Sequence, residues 1–140
     1  MRIFVLITVC LLIAGCASSP VSPKQAAQVP DSRVYAFAQP SAKRTATVQI
    51  TSDGASAIYL GIVTFDISVD GQRVTAIKGK ETTRIWLTPG YHIAAVEGNE
   101  GQFYAKPEGV TCLRVSTNYN KGVVIAPTAT CPFDDTAQLQ

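Results

Sequence analysis

Between residues 31 and 133 the chain consists of short runs in which apolar and polar residues alternate, separated by turn residues. In the clearest run, Val63, Phe65, Ile67 and Val69 face one way, and the polar residues between them face the other. Period-two alternation is typical of a strand with one buried face. Similar runs of strand-forming residues lie at 32–39, 45–51, 58–69, 72–77, 81–87, 91–97, 102–105, 110–117 and 122–126.

Two turns between these runs have strong sequence signals. Asp70-Gly71 is typical of a type I′ hairpin turn, because both central residues need a positive φ. Pro89-Gly90 is typical of a type II turn, in which proline sets the first φ and glycine supplies the positive one, and it predicts a second hairpin between 81–87 and 91–97. No helical apolar period is present, so the sequence predicts a single all-β domain, a small antiparallel β-sandwich or barrel of about seven to eight strands.

The N-terminus has a different pattern. Met1 and Arg2 precede an unbroken apolar run at 3–13. This run is too short to span about 30 Å of hydrocarbon as a helix, and it matches the apolar region of a signal peptide.

The run ends in Ile13-Ala14-Gly15-Cys16, which resembles the lipobox of bacterial lipoproteins. The resemblance implies that residues 1–15 are removed and that Cys16 carries acyl chains such as palmitate, which anchor the protein in the lipid bilayer. Two or three acyl chains hold a protein stably, because each buried CH₂ contributes about 0.8 kcal/mol. Ala17 stands where an aspartate commonly retains lipoproteins in the inner membrane, so we expect the outer membrane, facing the periplasm. The alternatives are an ordinary cleaved signal peptide and an uncleaved anchor.

The segment after Cys16 is rich in proline and serine up to Pro30. Such a composition buries too little apolar surface to offset its ordering entropy. We therefore predict a flexible linker at 16–30, a β-sandwich domain at 31–133 and a C-terminal tail at 134–140.

A second resemblance lies within the domain. Val69-Asp70-Gly71 followed by 87–93 (LTPGYHI) is similar to the V-D-G … L-x-P-G-x-H-x-I pattern of PEGA-type domains and of an uncharacterised lipoprotein domain family. The match covers about 62–97 and fades after Glu97. The resemblance implies a β-sandwich that binds or braces in the cell envelope.

Four cysteines need separate explanations. Cys10 lies in the predicted signal peptide and Cys16 is the predicted lipid site, which leaves Cys112 and Cys131. An even pair in an oxidising compartment favours a disulfide, worth roughly 3 kcal/mol for a loop of about twenty residues. Two free thiols or a metal-binding pair are the alternatives, although no histidine stands beside either cysteine.

Catalytic and nucleic-acid-binding patterns are weak. His92 is the single histidine, and at a strand start it favours a surface or edge residue rather than a catalytic base. Asp66, Glu81 and Glu97 have no motif that brings them together for glycoside hydrolysis. With 12 Lys and Arg against 10 Asp and Glu, no basic stripe favours nucleic acid. We expect no enzyme activity, no cofactor and no metal.

The candidate partner-binding residues are Arg84, Trp86 and Tyr119. Alternation in 81–87 places Arg84 and Trp86 on the same face, opposite the aliphatic residues, and this pair of residue types is favoured at protein interfaces and sugar-stacking sites. The alternative is that Trp86 is covered inside the sandwich. Tyr119 lies in a polar turn at 118–122.

Three functions follow from these features. The first is a non-catalytic envelope lipoprotein that binds an envelope protein or peptidoglycan, with an exposed apolar patch around Trp86 or along an edge strand. The second is an inhibitor or accessory factor of a cell-wall-active enzyme, with a protruding loop at 117–122. The third is a hydrolase with a deep cleft.

Overall fold

A computed structural model describes residues 26–52 and 63–129. The predicted signal peptide, Cys16 and Cys131 lie outside the described residues. The strands are β1 (Ala27–Gln28), β2 (Ala46–Ser52), β3 (Phe65–Val69), β4 (Gln72–Ile77), β5 (Glu81–Leu87), β6 (Gly90–Val96), β7 (Asn99–Ala105), β8 (Val110–Asn118) and β9 (Gly122–Pro127).

The strands form two sheets. Sheet A has the order β1-β5-β2-β8-β9, and sheet B has the order β4-β3-β6-β7. The all-β sandwich class is confirmed. Most neighbouring strands are antiparallel, but β1 with β5 and β2 with β8 are parallel, so sheet A is mixed.

The core lies between the inward faces of the two sheets. Phe65, Ile67 and Val69 are buried on β3, as the alternation predicts, and Ile85 and Leu87 are buried on β5. The other inward side chains that are almost inaccessible to solvent are Val48, Ile50, Val74, Ile77, Val96, Leu113 and Val115. This aliphatic core holds the sheets together, at about 25 cal/mol per Å² of apolar surface removed from water.

The predicted Asp70-Gly71 hairpin is confirmed, but the hairpin predicted at Pro89-Gly90 is wrong: this segment crosses from β5 in sheet A to β6 in sheet B, and the two strands do not pair. Asp70 and Gly71 have φ values of 50° and 78°, and Gly90 has a positive φ of 135°. Glu97 and Gly98, with φ values of 48° and 77°, form a further two-residue hairpin turn between β6 and β7. These hairpins fix which side chains face one another across sheet B.

The strand predicted at 32–39 is wrong. The segment instead contains two short 3₁₀ turns, Asp31–Arg33 and Ala36–Ala38. Between them the chain extends only briefly, with a bridge from Val34 to Thr75 and a bond from the Tyr35 amide to the Val74 carbonyl. The first carbonyl of each 3₁₀ turn accepts a hydrogen bond from an amide within the segment, and these local hydrogen bonds compete with strand pairing. Prolines at 30 and 40 flank the segment.

Two strands also begin more than one residue away from the sequence prediction. β7 begins at Asn99 rather than at 102. Within the run 58–69, β3 spans Phe65–Val69, and residues 58–62 lie outside the described part.

The end of the predicted linker is part of sheet A. Ala27 and Gln28 pair with Glu81 and Thr82 on β5, and Val29 is buried in the core. The fold therefore begins upstream of residue 31.

Candidate functional site

The single histidine links two turns by hydrogen bonds, and we call this arrangement the Asp70–His92 bracket. His92 is 8% exposed, which corrects the expectation of a surface or edge residue. Its Nδ1 lies 2.6 Å from the Asp70 carboxylate, and its Nε2 lies 2.7 Å from the Thr88 carbonyl oxygen. Since both partners accept, both ring nitrogens donate when the two bonds coexist. The ring thus joins the Asp70-Gly71 turn to the loop before Gly90.

Asp70 is tied to β6 from the other side as well. Its second carboxylate oxygen accepts a bond from the Ile93 amide at 3.0 Å. Burial alone raises the pKa of Asp70, but the Ile93 amide and the His92 ring outweigh it and hold that pKa below its usual value. The V-D-G and P-G-x-H residues are therefore explained by turn and bracket chemistry.

The three carboxylates considered for hydrolysis lie in unrelated settings. Glu81 forms a two-pronged ion pair with Arg33 and also accepts from the Lys78 amide. Asp66 pairs with Arg73 on the exposed face of sheet B, and Glu97 occupies the β6–β7 turn. Two of the three are thus engaged by arginines.

No group of three His, Cys, Asp or Glu side chains placed to hold a metal ion occurs in residues 26–52 and 63–129. Across the same ranges, no helix has the length and apolar character needed to cross a bilayer.

The predicted partner-binding residues lie at separate places. Arg84 is exposed and Trp86 is half-buried on the outer face of sheet A, in register with Gln49 and Thr47 on β2. Gln49 is only 4% exposed although it belongs to this outer row, so part of the face is covered. Tyr119 is fully exposed in the β8–β9 turn, where the Asn118 side chain accepts from the amides of Asn120 and Lys121.

A larger exposed aromatic feature lies on the outer face of sheet B. Tyr91 on β6 is 73% exposed, and Tyr104 on β7 is 47% exposed. The two residues face each other across the strands, with ring centroids 5.0 Å apart in an edge-to-face arrangement. Ile93, the next outward residue of β6, is 47% exposed. Together Tyr91, Ile93 and Tyr104 form what we call the tyrosine patch.

The tyrosine patch borders a groove of about 620 Å³. On one side the groove is lined by Tyr91, Gln102, Tyr104 and Lys106, and on the other by residues of β8, by the last residue of β9, Pro127, and by 128–129 after it. This volume lies within the range of small-ligand sites, which combine aromatic surface with a few polar groups. Lys106 is the charged side chain among the described residues of the lining.

Sequence reasoning missed this site. Tyr91 and Tyr104 lie thirteen positions apart, and neither stands in a motif for binding. Their juxtaposition depends on the register set by the Glu97-Gly98 turn, which pairs Val96 with Asn99. The Glu97-Gly98 pair is a sequence signal for this hairpin, but Glu-Gly is a weaker signal for a hairpin turn than Asn-Gly or Asp-Gly.

Contacts with sheet A occupy the edge of β7 beside the groove. The Thr111 hydroxyl donates to the Tyr104 carbonyl at 3.2 Å and accepts from the Lys106 amide at 3.1 Å. Farther along, the Asn99 side-chain amide donates to the carbonyls of Lys121 and Val123, each at 2.8 Å. These bonds tie β7 to sheet A, so the edge is not an open template for another strand.

Cys112 is buried on β8 and lines the groove. The amide of Thr128 donates to its carbonyl at 3.0 Å, so the chain after β9 returns to this cysteine. Cys131 is three residues farther along, a span of about 10 Å when extended. The disulfide stays a prediction. The length of chain from Thr128 to Cys131 is compatible with it.

Comparison with known proteins gives no relative: no family model, no curated protein and no solved structure matches this chain.

Proposed function

We propose that this protein is a lipid-anchored, non-catalytic component of the bacterial cell envelope whose β-sandwich binds an envelope protein or peptidoglycan. The observation that carries the proposal is the tyrosine patch beside the groove. Tyrosines are rarely left this exposed in a contiguous patch unless they contact something, because each offers a large apolar surface with few torsions to immobilise.

The lipobox resemblance supplies the anchor in this proposal. Acyl chains on Cys16 hold the chain at the membrane, and residues 17–26 separate the anchor from β1. An extended chain of this length reaches roughly 30 Å, so the domain stays close to the lipid surface while it binds. The proposed location is the outer membrane, facing the periplasm, where a Cys112–Cys131 disulfide is stable.

The anchor is tested by Cys16→Ser in cells. We expect the wild type in the membrane fraction with acyl chains on Cys16 by mass spectrometry, and the variant in the soluble periplasmic fraction. Retention of the variant in the membrane would overturn the anchor.

Binding is tested by placing a photo-crosslinking amino acid at Tyr104 in the full chain in intact cells, with the same residue at Arg84, Trp86 and Tyr119 in parallel. We expect adducts to envelope material from position 104. Absence of adducts at all four positions would contradict a binding role.

The inhibitor or accessory-factor function has one specific observation in its favour. Tyr119 projects from the β8–β9 turn. Two backbone amides of this turn donate hydrogen bonds to the Asn118 side chain, and these bonds stabilise its conformation. A rigid, protruding turn suits insertion into an enzyme cleft, because little ordering entropy is lost on binding. Adducts to a wall-active enzyme from position 119, with none from position 104, would favour this function.

A further inference from the structure

We propose that the groove beside the tyrosine patch binds the glycan strands of peptidoglycan, a polymer that is anionic through the carboxylates of its stem peptides. This inference rests on the proposed function and specifies its ligand. Three features of the groove support it: the exposed aromatic face of Tyr91, the contacts along the edge of β7 and the charge of the lining.

The tyrosine patch suits pyranose rings. The edge-to-face contact with Tyr104 braces the Tyr91 ring, while most of that ring stays open to solvent. An open aromatic face binds the C–H surface of a sugar by dispersion, and a braced ring loses little freedom when it does so. The exposed side chain of Gln102 lies next to Tyr104 on the outer face of β7, opposite Ile93, and offers both donors and an acceptor to hydroxyl or acetamido groups.

The edge of β7 disfavours an extended peptide as the ligand. Peptide segments are often recognised by addition of a strand to an exposed sheet edge, which requires free backbone amides and carbonyls. Beside the groove, the Tyr104 carbonyl and the Lys106 amide are both occupied by the Thr111 hydroxyl. Three residues before Tyr104 on β7, the backbone of Gly101 lies close to the Ile125 carbonyl of β9. Recognition in the groove therefore depends on side chains, as in carbohydrate sites.

The charge of the lining favours an anionic ligand. Lys106 is exposed at the rim of the groove, and no carboxylate accompanies it among the described lining residues. An ammonium group attracts carboxylates, and the attraction is strongest at low ionic strength. Peptidoglycan combines pyranose rings, acetamido groups and carboxylates in one polymer.

The experiment is co-sedimentation of the purified, unlipidated chain from residue 17 with purified peptidoglycan sacculi, which contain no protein. Chitin, a neutral polymer of acetamido sugars, serves as the comparison. We expect saturable binding to sacculi and binding to chitin that is about tenfold weaker. Equal binding to both polymers would overturn the role of charge, and no binding to sacculi would overturn the glycan assignment.

Variants locate the site. Tyr91→Ala and Tyr104→Ala should each weaken binding to sacculi about tenfold, whereas Tyr119→Ala, at a more exposed tyrosine elsewhere, should leave it unchanged. Lys106→Glu should weaken binding at low salt and remove most of its salt dependence, and Lys80→Glu is the matched control. Circular dichroism and thermal unfolding establish that each variant is folded. Loss of binding in Tyr119→Ala alone would place the site elsewhere.

Failure of this inference is distinguishable from failure of the proposed function. If sacculi do not bind but position 104 forms adducts with an envelope protein in cells, the binding role stands and the ligand is a protein. If neither occurs, both are wrong.

Discussion

At the residue scale, the Asp70–His92 bracket is the structural role of the single histidine, which is buried. The ring spans two turns at one end of the sandwich, and Asp70 adds a bond to the Ile93 amide. Sequence analysis identified both turns but treated His92 as a strand-surface residue, because the distance between Asp70 and His92 along the chain gave no sign of their contact. The positively charged side chains near this end are Lys43 and Arg44.

The bracket makes stability depend on pH through Asp70. The pKa of Asp70 is lower in the folded chain than in the unfolded chain, where it is about 3.9. The stabilisation is therefore fully present above about pH 4 and is lost as the pH falls through the folded-state pKa. Asp70→Asn keeps the tolerance for positive φ and removes the charge; because the Asp70 side chain is 45% exposed and solvent screens it, we expect the free energy of unfolding at pH 7 to fall by only about 0.5–1.5 kcal/mol.

This prediction is checked by urea unfolding of wild type and Asp70→Asn between pH 2 and 8. The difference between the two should shrink as the pH falls below 4. Asp66→Asn is the control, since its ion pair with Arg73 is exposed to solvent and should contribute little to stability. A difference that stays constant down to pH 2 would refute the role of the Asp70 charge.

At the element scale, alternation identified the long strands well because one face of each strand is buried. It failed where burial does not alternate. Residues 32–39 alternate in sequence but fold as 3₁₀ turns, and Asn99-Glu100-Gly101 lacks apolar residues yet begins β7. The start of β7 is specified instead by the Glu97-Gly98 turn, which pairs Val96 with Asn99, and Gly101 leaves room for the backbone of β9.

Gly101 therefore gives a prediction at this scale. A Cβ atom at this position would lie 2.5 Å from the Ile125 carbonyl oxygen, so β9 must move to accept alanine. Glycine to alanine in a strand otherwise stabilises by about 0.5–1 kcal/mol. We expect Gly101→Ala to lower the free energy of unfolding by about 1–3 kcal/mol, as overpacking does.

Thermal unfolding of Gly101→Ala and of Gln102→Ala checks this. The neighbouring residue Gln102 is exposed, so its replacement should change stability by less than about 0.5 kcal/mol. An unchanged or higher melting temperature for Gly101→Ala would show that β9 does not pack on β7 as described.

At the scale of the whole molecule, the sequence predicted a β-sandwich but not the order of its strands. The parallel pairing of β2 with β8 joins segments more than sixty residues apart, and no local pattern encodes it. The tyrosine patch depends on such higher-order information, because Tyr91 and Tyr104 meet only when the hairpin register is known. Arg84 and Trp86 were found by strand alternation and residue type, and Tyr119 by its place in a polar turn; all three stay predictions as binding residues.

The predicted disulfide also acts at this scale, because it ties the end of the chain to sheet A beside the groove. We expect Cys131→Ala to lower the free energy of unfolding by roughly 3 kcal/mol, since the unfolded chain gains the freedom of a loop of about twenty residues. Dithiothreitol should destabilise the wild type by a similar amount and leave Cys131→Ala unaffected. Equal stability of the oxidised wild type and the variant would refute the pairing.

The most direct test of the account is a residue-resolved binding map. A ¹⁵N-labelled chain from residue 17 is titrated with the soluble fragments that lysozyme releases from peptidoglycan sacculi, and amide shifts are followed by NMR. The account predicts saturable shifts concentrated at Tyr91, Ile93, Gln102, Tyr104 and Lys106. Shifts confined to Arg84, Trp86 or the Tyr119 turn, or no shifts at all, would contradict it.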